Sequence, residues 1–274
     1  CFYLPISTSI RQSVRFNGLL LSVPSMAFKP GLMLTAAAAS LLLLASCNAA
    51  TDATDATAET PEVQEEPEAP ASEADLEAAQ ADWQARQEEI NQVLASMDRA
   101  TFIGESPTKG NPGAEVVVVK FSDFECPFCA VASVHMKDFV DERGEEVLYV
   151  YKHLPLENIH PEAVPSAKAS WAAGQQDQFW IYHNGLFANQ ERLGEPLYQE
   201  LAEQIRLDVE QINRDRNSAA AQTAVDADIA LATQLRLRGT PSFLLGGVLV
   251  PPGIPPESFG QLLDNLKAVP NPQE

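Results

Sequence analysis

Apolar and polar positions change their spacing along the chain, and each spacing predicts a different element. In the first long pattern an apolar residue recurs every seven positions among Glu, Gln and Arg: Leu76, Trp83, Ile90 and Met97. This spacing predicts an amphipathic helix over residues 76–99. The helix could dock on its own domain or form a coiled-coil seam that makes a homo-oligomer, and Arg86 in the seam favours docking.

A run at residues 116–121 that is apolar except for Lys120 follows a turn-rich stretch. Such a run is typical of a strand that is buried on both faces. It leads directly into residues 122–129 and then into an apolar-periodic helix that reaches Gly144, while residues 147–153 predict a second strand. Strand, turn and helix together place Cys126 at the amino-terminal end of a helix.

The long segment from residue 160 to residue 238 has helical periodicity and little strand signal. Asp208 and Ser218 are of the residue types that cap helices, and Pro196 suits a first helical turn. Beyond it, residues 242–245 and 248–250 flank two glycines and predict a β-hairpin. A last helix is expected at roughly residues 257–267.

The amino-terminal part has the layout of an export signal. From Met26, basic Lys29 precedes an apolar run that ends in Leu-Ala-Ser before Cys47. The run is too short for the roughly 20 residues that a spanning helix needs. The arrangement resembles that of bacterial lipoproteins, which implies a signal peptide at residues 26–46, lipidation of Cys47, and a start that leaves residues 1–25 upstream. An ordinary cleaved signal with a chance cysteine is the alternative, and either signal exports the protein.

Residues 47–75 are built from Ala, Thr, Pro, Asp and Glu without a basic residue. This composition predicts a disordered acidic tether that holds the folded part clear of a membrane. The whole chain has a formal net charge of -20, which argues against a nucleic-acid partner.

Cys126 and Cys129 are the candidate reactive pair, because Cys1 and Cys47 lie in the segments discussed above. Helix N-terminal N–H groups and the helix dipole favour a thiolate, which is the attacking species in disulfide exchange. Cys126, nearest those donors and nearest solvent, is predicted to attack, and Cys129 to resolve. Pro127 fits the first turn, where its missing N–H costs nothing. A pair of cysteines can also bind copper or zinc, although a structural zinc site usually has four ligands.

Three segments together resemble the DsbA-like branch of the thioredoxin superfamily, over about residues 101–269. They are residues 121–129, the tract 171–190 and Gly239-Thr240-Pro241. The resemblance implies an α/β thioredoxin fold with a helical domain inserted at about residues 158–238, preceded by the tether and the amphipathic helix. It also implies a cis Thr240–Pro241 bond beside the cysteines, with the Thr240 backbone pairing to an extended substrate.

Two positions depart from the pattern of this family. Strongly oxidising members often have histidine between the cysteines, where this chain has Pro127 and Phe128. Phe128 carries no charge to hold Cys126 as thiolate, so the couple is expected to be less oxidising. Members also often have a buried acid six residues before the nucleophile, where this chain has Lys120. If Lys120 reaches the site, it favours the thiolate and hence the reduced form.

The sequence therefore predicts a lipid-anchored thiol–disulfide oxidoreductase that faces the periplasm or the cell exterior. Its expected partners are exported protein substrates and a membrane-bound or soluble redox protein, with the Cys126–Cys129 disulfide as the redox group and no other cofactor or metal. The pattern leaves oxidase, reductase and isomerase open. The rival functions are a tethered copper or zinc metallochaperone that uses the same pair, and an interaction module that uses the helix at 76–99.

Overall fold

The computed structural model describes residues 12–16, 19–23, 72–251 and 254–268. In the first two ranges, strands β1 (Gln12–Phe16) and β2 (Leu19–Val23) form an antiparallel pair. The export signal, the lipidation site Cys47 and the tether up to residue 71 lie outside the described residues, so these features stay predictions. No helix in the described part of the chain is both long enough and apolar enough to cross a membrane.

A five-stranded mixed sheet forms the centre of the folded part, with strand order β3-β5-β4-β6-β7. Its strands are β3 (Thr108–Gly110), β4 (Val116–Ser122), β5 (Val147–His153), β6 (Ser242–Leu245) and β7 (Val248–Leu249). The central strands β4 and β5 are parallel, and the other neighbouring strands are antiparallel. The apolar runs correctly predicted β4 and β5, whereas the short strand β3 was missed.

Helices surround this sheet. They are α1 (Glu73–Ala95), α2 (Arg99–Ile103), α3 (Pro127–Arg143), α4 (Ala163–Gly174), α5 (Phe179–Ala188), α6 (Glu195–Gln204), α7 (Val209–Arg216), α8 (Ala219–Gln234) and α9 (Phe259–Ala268). Helices α3, α7, α8 and α9 begin close to the predicted positions, whereas α2 was not predicted. Asp208 and Ser218 accept hydrogen bonds from backbone N–H groups in the first turns of α7 and α8, as predicted.

Three apolar cores result from this arrangement. Helices α3 and α9 cover one face of the sheet, around Val118 and Phe139. Helices α1 and α8 contribute to the core on the other face, around Phe121. Helices α4 to α7 form a third core around Tyr182, which includes Tyr151 of β5. The helical block thus lies between β5 and β6 in sequence, as the resemblance implied.

Helix α1 docks on its own domain. Ile90 and Leu94 are buried in the core beneath the sheet. The Gln87 side chain donates to Gly247 O in the turn before β7 at 3.0 Å and accepts the N–H of Leu249 in β7 at 2.7 Å. These bonds cover an exposed sheet edge. The helix lies a few residues earlier than the predicted range 76–99. A capping box at Ser72 starts it at Glu73, and it ends at Ala95.

Candidate active site

The two cysteines lie where β4 passes through a tight turn into α3. Cys126 is the N-cap residue of α3 with extended backbone, and Pro127 occupies the first turn. Cys129 lies one turn inward, and its N–H donates to Cys126 O at 3.0 Å. The Thr240–Pro241 bond is cis, and the Cys126 thiol donates to Thr240 O at 3.4 Å. The structure thus brings together the predicted pair and the predicted proline loop.

Cys126 is more covered than the sequence predicted. It is 4% exposed and Cys129 is 0% exposed, because the turn packs against the loop that carries Thr240. By contrast, Phe128 between the cysteines is 73% exposed, and Val131 and Val134 on the same helix are 57% and 62% exposed. An apolar surface therefore lies beside a nearly buried sulfur atom.

The two thiols have opposite acidities. A hydrogen bond from the Cys129 side chain, helped by Thr240 and by the backbone N–H groups of Cys129 and Phe128, outweighs burial and lowers the pKa of Cys126 to about 5. Burial, reinforced by the hydrogen bond that Cys129 gives to Cys126, raises the pKa of Cys129. At neutral pH, Cys126 is therefore the thiolate and Cys129 the protonated thiol.

This asymmetry predicts the pH dependence of alkylation of the reduced protein by iodoacetamide. Below a pH of about 5 the rate at Cys126 should rise about tenfold per pH unit and then level off, because only the thiolate reacts. An unperturbed cysteine would still gain reactivity up to a pH of about 8.5. Mass spectrometry of the labelled peptide would measure the rate. A midpoint near that of a free thiol would contradict the pKa assigned to Cys126.

The Asp123 carboxylate holds the active-site turn in place through hydrogen bonds. One carboxylate oxygen accepts the backbone N–H of Glu125 at 2.8 Å, and the other accepts that of Leu156 at 2.9 Å. The second oxygen also lies 2.7 Å from His160 Nδ1. Burial lowers the pKa of His160, but contact with Asp123 and the negative charges nearby outweigh burial, so the pKa is raised. Nothing in the sequence pointed to this contact of His160.

Two polar side chains, one from the turn and one from the helical block, join the block to the same turn. Gln190 Nε2 donates to Phe124 O at 2.6 Å and to Cys126 O at 3.0 Å. Glu125 accepts the backbone N–H of Glu162, next to the start of α4, at 2.7 Å. Gln190 belongs to the tract that carried the family resemblance, but nothing in the sequence indicated this contact.

Lys120 does reach the site. Its side chain is fully buried on β4, and Nζ donates to Cys129 O at 3.0 Å and to Ser133 Oγ at 2.6 Å. Burial lowers the pKa of Lys120 to about 8, and the charges of Cys129 and Cys126 oppose this shift. A lysine thus lies where members of the resembled family often have an acid.

Among the residues that the structure describes, no three side chains of His, Cys, Asp or Glu converge as a metal-binding group. Cys126 and Cys129 lie at the N-terminus of α3, next to a cis-proline loop. This combination on a mixed sheet defines the class of thioredoxin-like thiol–disulfide oxidoreductases.

Comparison with known proteins agrees with this class. The sequence model of the family described as Thioredoxin matches residues 102–265. A thioredoxin-like oxidoreductase from Silicibacter pomeroyi shares 28% identity and has a TM-score of 0.58, over 64% of this chain and 100% of that one. The thiol-disulfide exchange protein alpha-DsbA2 from Wolbachia pipientis shares 18% identity and the fold, with a TM-score of 0.59 over 68% of this chain and 98% of that one. The chain belongs to the thioredoxin family.

Curated relatives of another kind match a part of this chain. The Na(+)/H(+) antiporter NhaA 1 of Mycobacterium sp. (strain KMS) is 35% identical over 141 residues. The match covers 51% of this chain and 23% of the antiporter, so this chain spans about a quarter of the length of that relative. The name belongs to the whole antiporter, of which the matched segment is 23%.

Proposed function

We propose that the protein exchanges disulfides with exported protein substrates through Cys126 and Cys129. The observation that carries this proposal is the difference between the two thiols at one helix N-terminus, with the pKa of Cys126 lowered to about 5 and that of buried Cys129 raised. A nucleophile that is ionised at neutral pH and a resolving thiol one turn away are the two parts that exchange requires.

The proposed reaction runs through a mixed disulfide. In the reducing direction the Cys126 thiolate attacks one sulfur of a substrate disulfide, and the other substrate sulfur leaves as a thiolate. Cys129 then loses its proton and attacks Cys126 Sγ, which closes the Cys126–Cys129 disulfide and releases the second substrate thiolate. The oxidising direction reverses these steps, with the two electrons passing from a substrate dithiol to the enzyme disulfide.

The surface around Cys126 supports a polypeptide substrate. Thr240 O faces Cys126 Sγ, so an extended chain pairing with the Thr240 backbone would bring a substrate sulfur close to the nucleophile. The exposed side chains of Phe128, Val131 and Val134 would contact apolar residues of an unfolded or partly folded substrate.

We further propose that the protein acts outside the cytoplasm on a lipid anchor at Cys47. The signal-like residues 26–46 and the acidic segment that follows support this location. On this proposal a membrane-bound or soluble redox protein restores the cysteine pair after each turnover. Structural neighbours include a periplasmic thioredoxin-like protein from Salmonella enterica serovar Typhimurium, with 18% identity and a TM-score of 0.53.

The reduction potential of the cysteine pair tests the function and determines its direction. Equilibration of residues 72–274 with glutathione, followed by thiol trapping, should give a reversible two-electron couple. Because the pKa of Cys126 is lowered to about 5, we expect a potential between about -270 mV, as in thioredoxin, and about -120 mV, as in DsbA. The absence of a reversible couple would refute the oxidoreductase and favour the metallochaperone.

A further inference from the structure

Lys120 is a buried cation that the exchange reaction described above does not use. Its side chain is 0% exposed, and Nζ is fixed by Cys129 O and Ser133 Oγ of α3. Nζ also lies 5.0 Å from the centroid of the Phe187 ring on α5. In the described part of the chain Lys120 forms no ion pair with a carboxylate, and the charges that act on its pKa are those of the two cysteines. An unpaired buried ammonium is costly, so its charge depends strongly on nearby anions.

The other ionisable groups that face Lys120 are neutral at neutral pH. On α5, burial and the charge of Lys120 lower the pKa of His183 to about 3. On β5, burial raises the pKa values of Tyr149 and Tyr151. The neighbouring strand β6 has no ionisable side chain. The charge that changes next to Lys120 during turnover is therefore the charge on the cysteine sulfur atoms.

We infer that Lys120 couples the redox state of the cysteine pair to its own protonation, so that reduction of the disulfide is accompanied by uptake of a proton at Nζ. This inference rests on the proposed disulfide exchange. The disulfide form with a neutral Lys120 amine takes two electrons and two protons from a substrate dithiol, which becomes a disulfide. One proton goes to Cys129 as its thiol, the other converts Lys120 to ammonium, and Cys126 becomes the thiolate. The charges of Lys120 and Cys126 cancel, so the buried site stays neutral.

This linkage determines how the equilibrium constant for reduction of the disulfide changes with pH. The negative charge of the reduced cysteine pair raises the pKa of Lys120 against burial, and in the reduced form this pKa is about 8. In the disulfide form this contribution is lost, so the pKa of Lys120 is lower. Between the two pKa values the reduced state binds one proton more than the oxidised state. In that range the equilibrium constant for reduction should fall an additional tenfold per pH unit, which is about 30 mV for a two-electron couple.

The test compares Lys120→Met with the wild type and with a matched control, Lys152→Met. Lys152 is a second buried lysine, on the neighbouring strand β5, but it pairs with Asp228 on the opposite face of the sheet. The equilibrium constant with glutathione would be measured from a pH of about 6 to about 9, corrected for the thiol pKa of glutathione. Lys120→Met should favour the oxidised form by about tenfold at neutral pH and lose the additional slope. Lys152→Met should keep the wild-type constant and slope.

Each outcome has a separate meaning. If the cysteine pair of Lys120→Met has the wild-type equilibrium constant with glutathione and the wild-type pH slope, the inference about Lys120 is overturned. Disulfide exchange is then left intact. A wild-type protein without a reversible couple would instead overturn the proposed function. If Lys120→Met does not fold, the wild-type profile alone decides, because a profile without the additional slope near the pKa of Lys120 contradicts the coupling.

Discussion

Replacing Cys126 with serine should reduce disulfide exchange to the uncatalysed background, while replacing Cys129 with serine should trap the substrate. A serine hydroxyl at position 126 is not ionised at neutral pH and cannot form a disulfide, so no mixed intermediate arises. In Cys129→Ser the Cys126 thiolate still attacks, and the serine hydroxyl can still donate a hydrogen bond to it. The mixed disulfide then accumulates because no second thiol resolves it.

Insulin reduction with dithiothreitol would measure the first effect, and non-reducing electrophoresis with a disulfide-bonded substrate would measure the second. The two variants are matched controls for each other, because each replaces one sulfur by oxygen within a single helical turn. Activity retained in Cys126→Ser would refute the assignment of the nucleophile. An adduct in Cys126→Ser but not in Cys129→Ser would show that the two roles are reversed.

The local parts of the fold could be predicted from the sequence because the signals lie within the elements themselves. The apolar run gave β4, and the caps Asp208 and Ser218 gave the starts of α7 and α8. The position of Cys126 at the start of α3 followed from strand, turn and proline in succession. Each of these features depends on residues only a few positions apart.

The supports of the active-site turn could not be predicted in the same way. Gln190 bonds to Phe124 and Cys126 across more than sixty positions, and His160 bonds to Asp123 across 37. No periodicity or spacing in the sequence encodes such contacts, because they depend on how the helical block packs against the turn. The coverage of Cys126 by the Thr240 loop is of the same kind, which explains why its exposure was overestimated.

These supports have a common physical consequence for the site. Asp123, Glu125 and Gln190 each bind backbone groups of the turn or bring the helical block to it. The turn can therefore keep its N–H groups directed at Cys126 Sγ when a substrate binds. Thiolate stabilisation depends on this preorganised geometry, and the helical block contributes to it without supplying a reacting atom.

The buried pair of Lys152 and Asp228 joins the helical block to the sheet. Lys152 Nζ lies 2.9 Å from Asp228 Oδ1, and the other carboxylate oxygen accepts the backbone N–H of His153 at 2.8 Å. Lys152 also donates to Ile103 O and to Ser106 Oγ. Asp228 lies on α8 and both of its partners on β5, so one carboxylate fixes the position of the last helix of the block.

Replacing Asp228 with alanine should lower the free energy of unfolding by about 3–5 kcal/mol, because it leaves a buried lysine charge without its partner. Urea unfolding followed by tryptophan fluorescence would measure the loss. The exposed pair of Lys137 and Asp141 provides the control, since Asp141→Ala should give no resolvable change. In the double variant Asp228→Leu with Lys152→Met most of the stability should return, but not all, because the His153 N–H still lacks its acceptor. A double variant as unstable as Asp228→Ala would mean that packing around α8, and not the uncompensated charge, accounts for the loss.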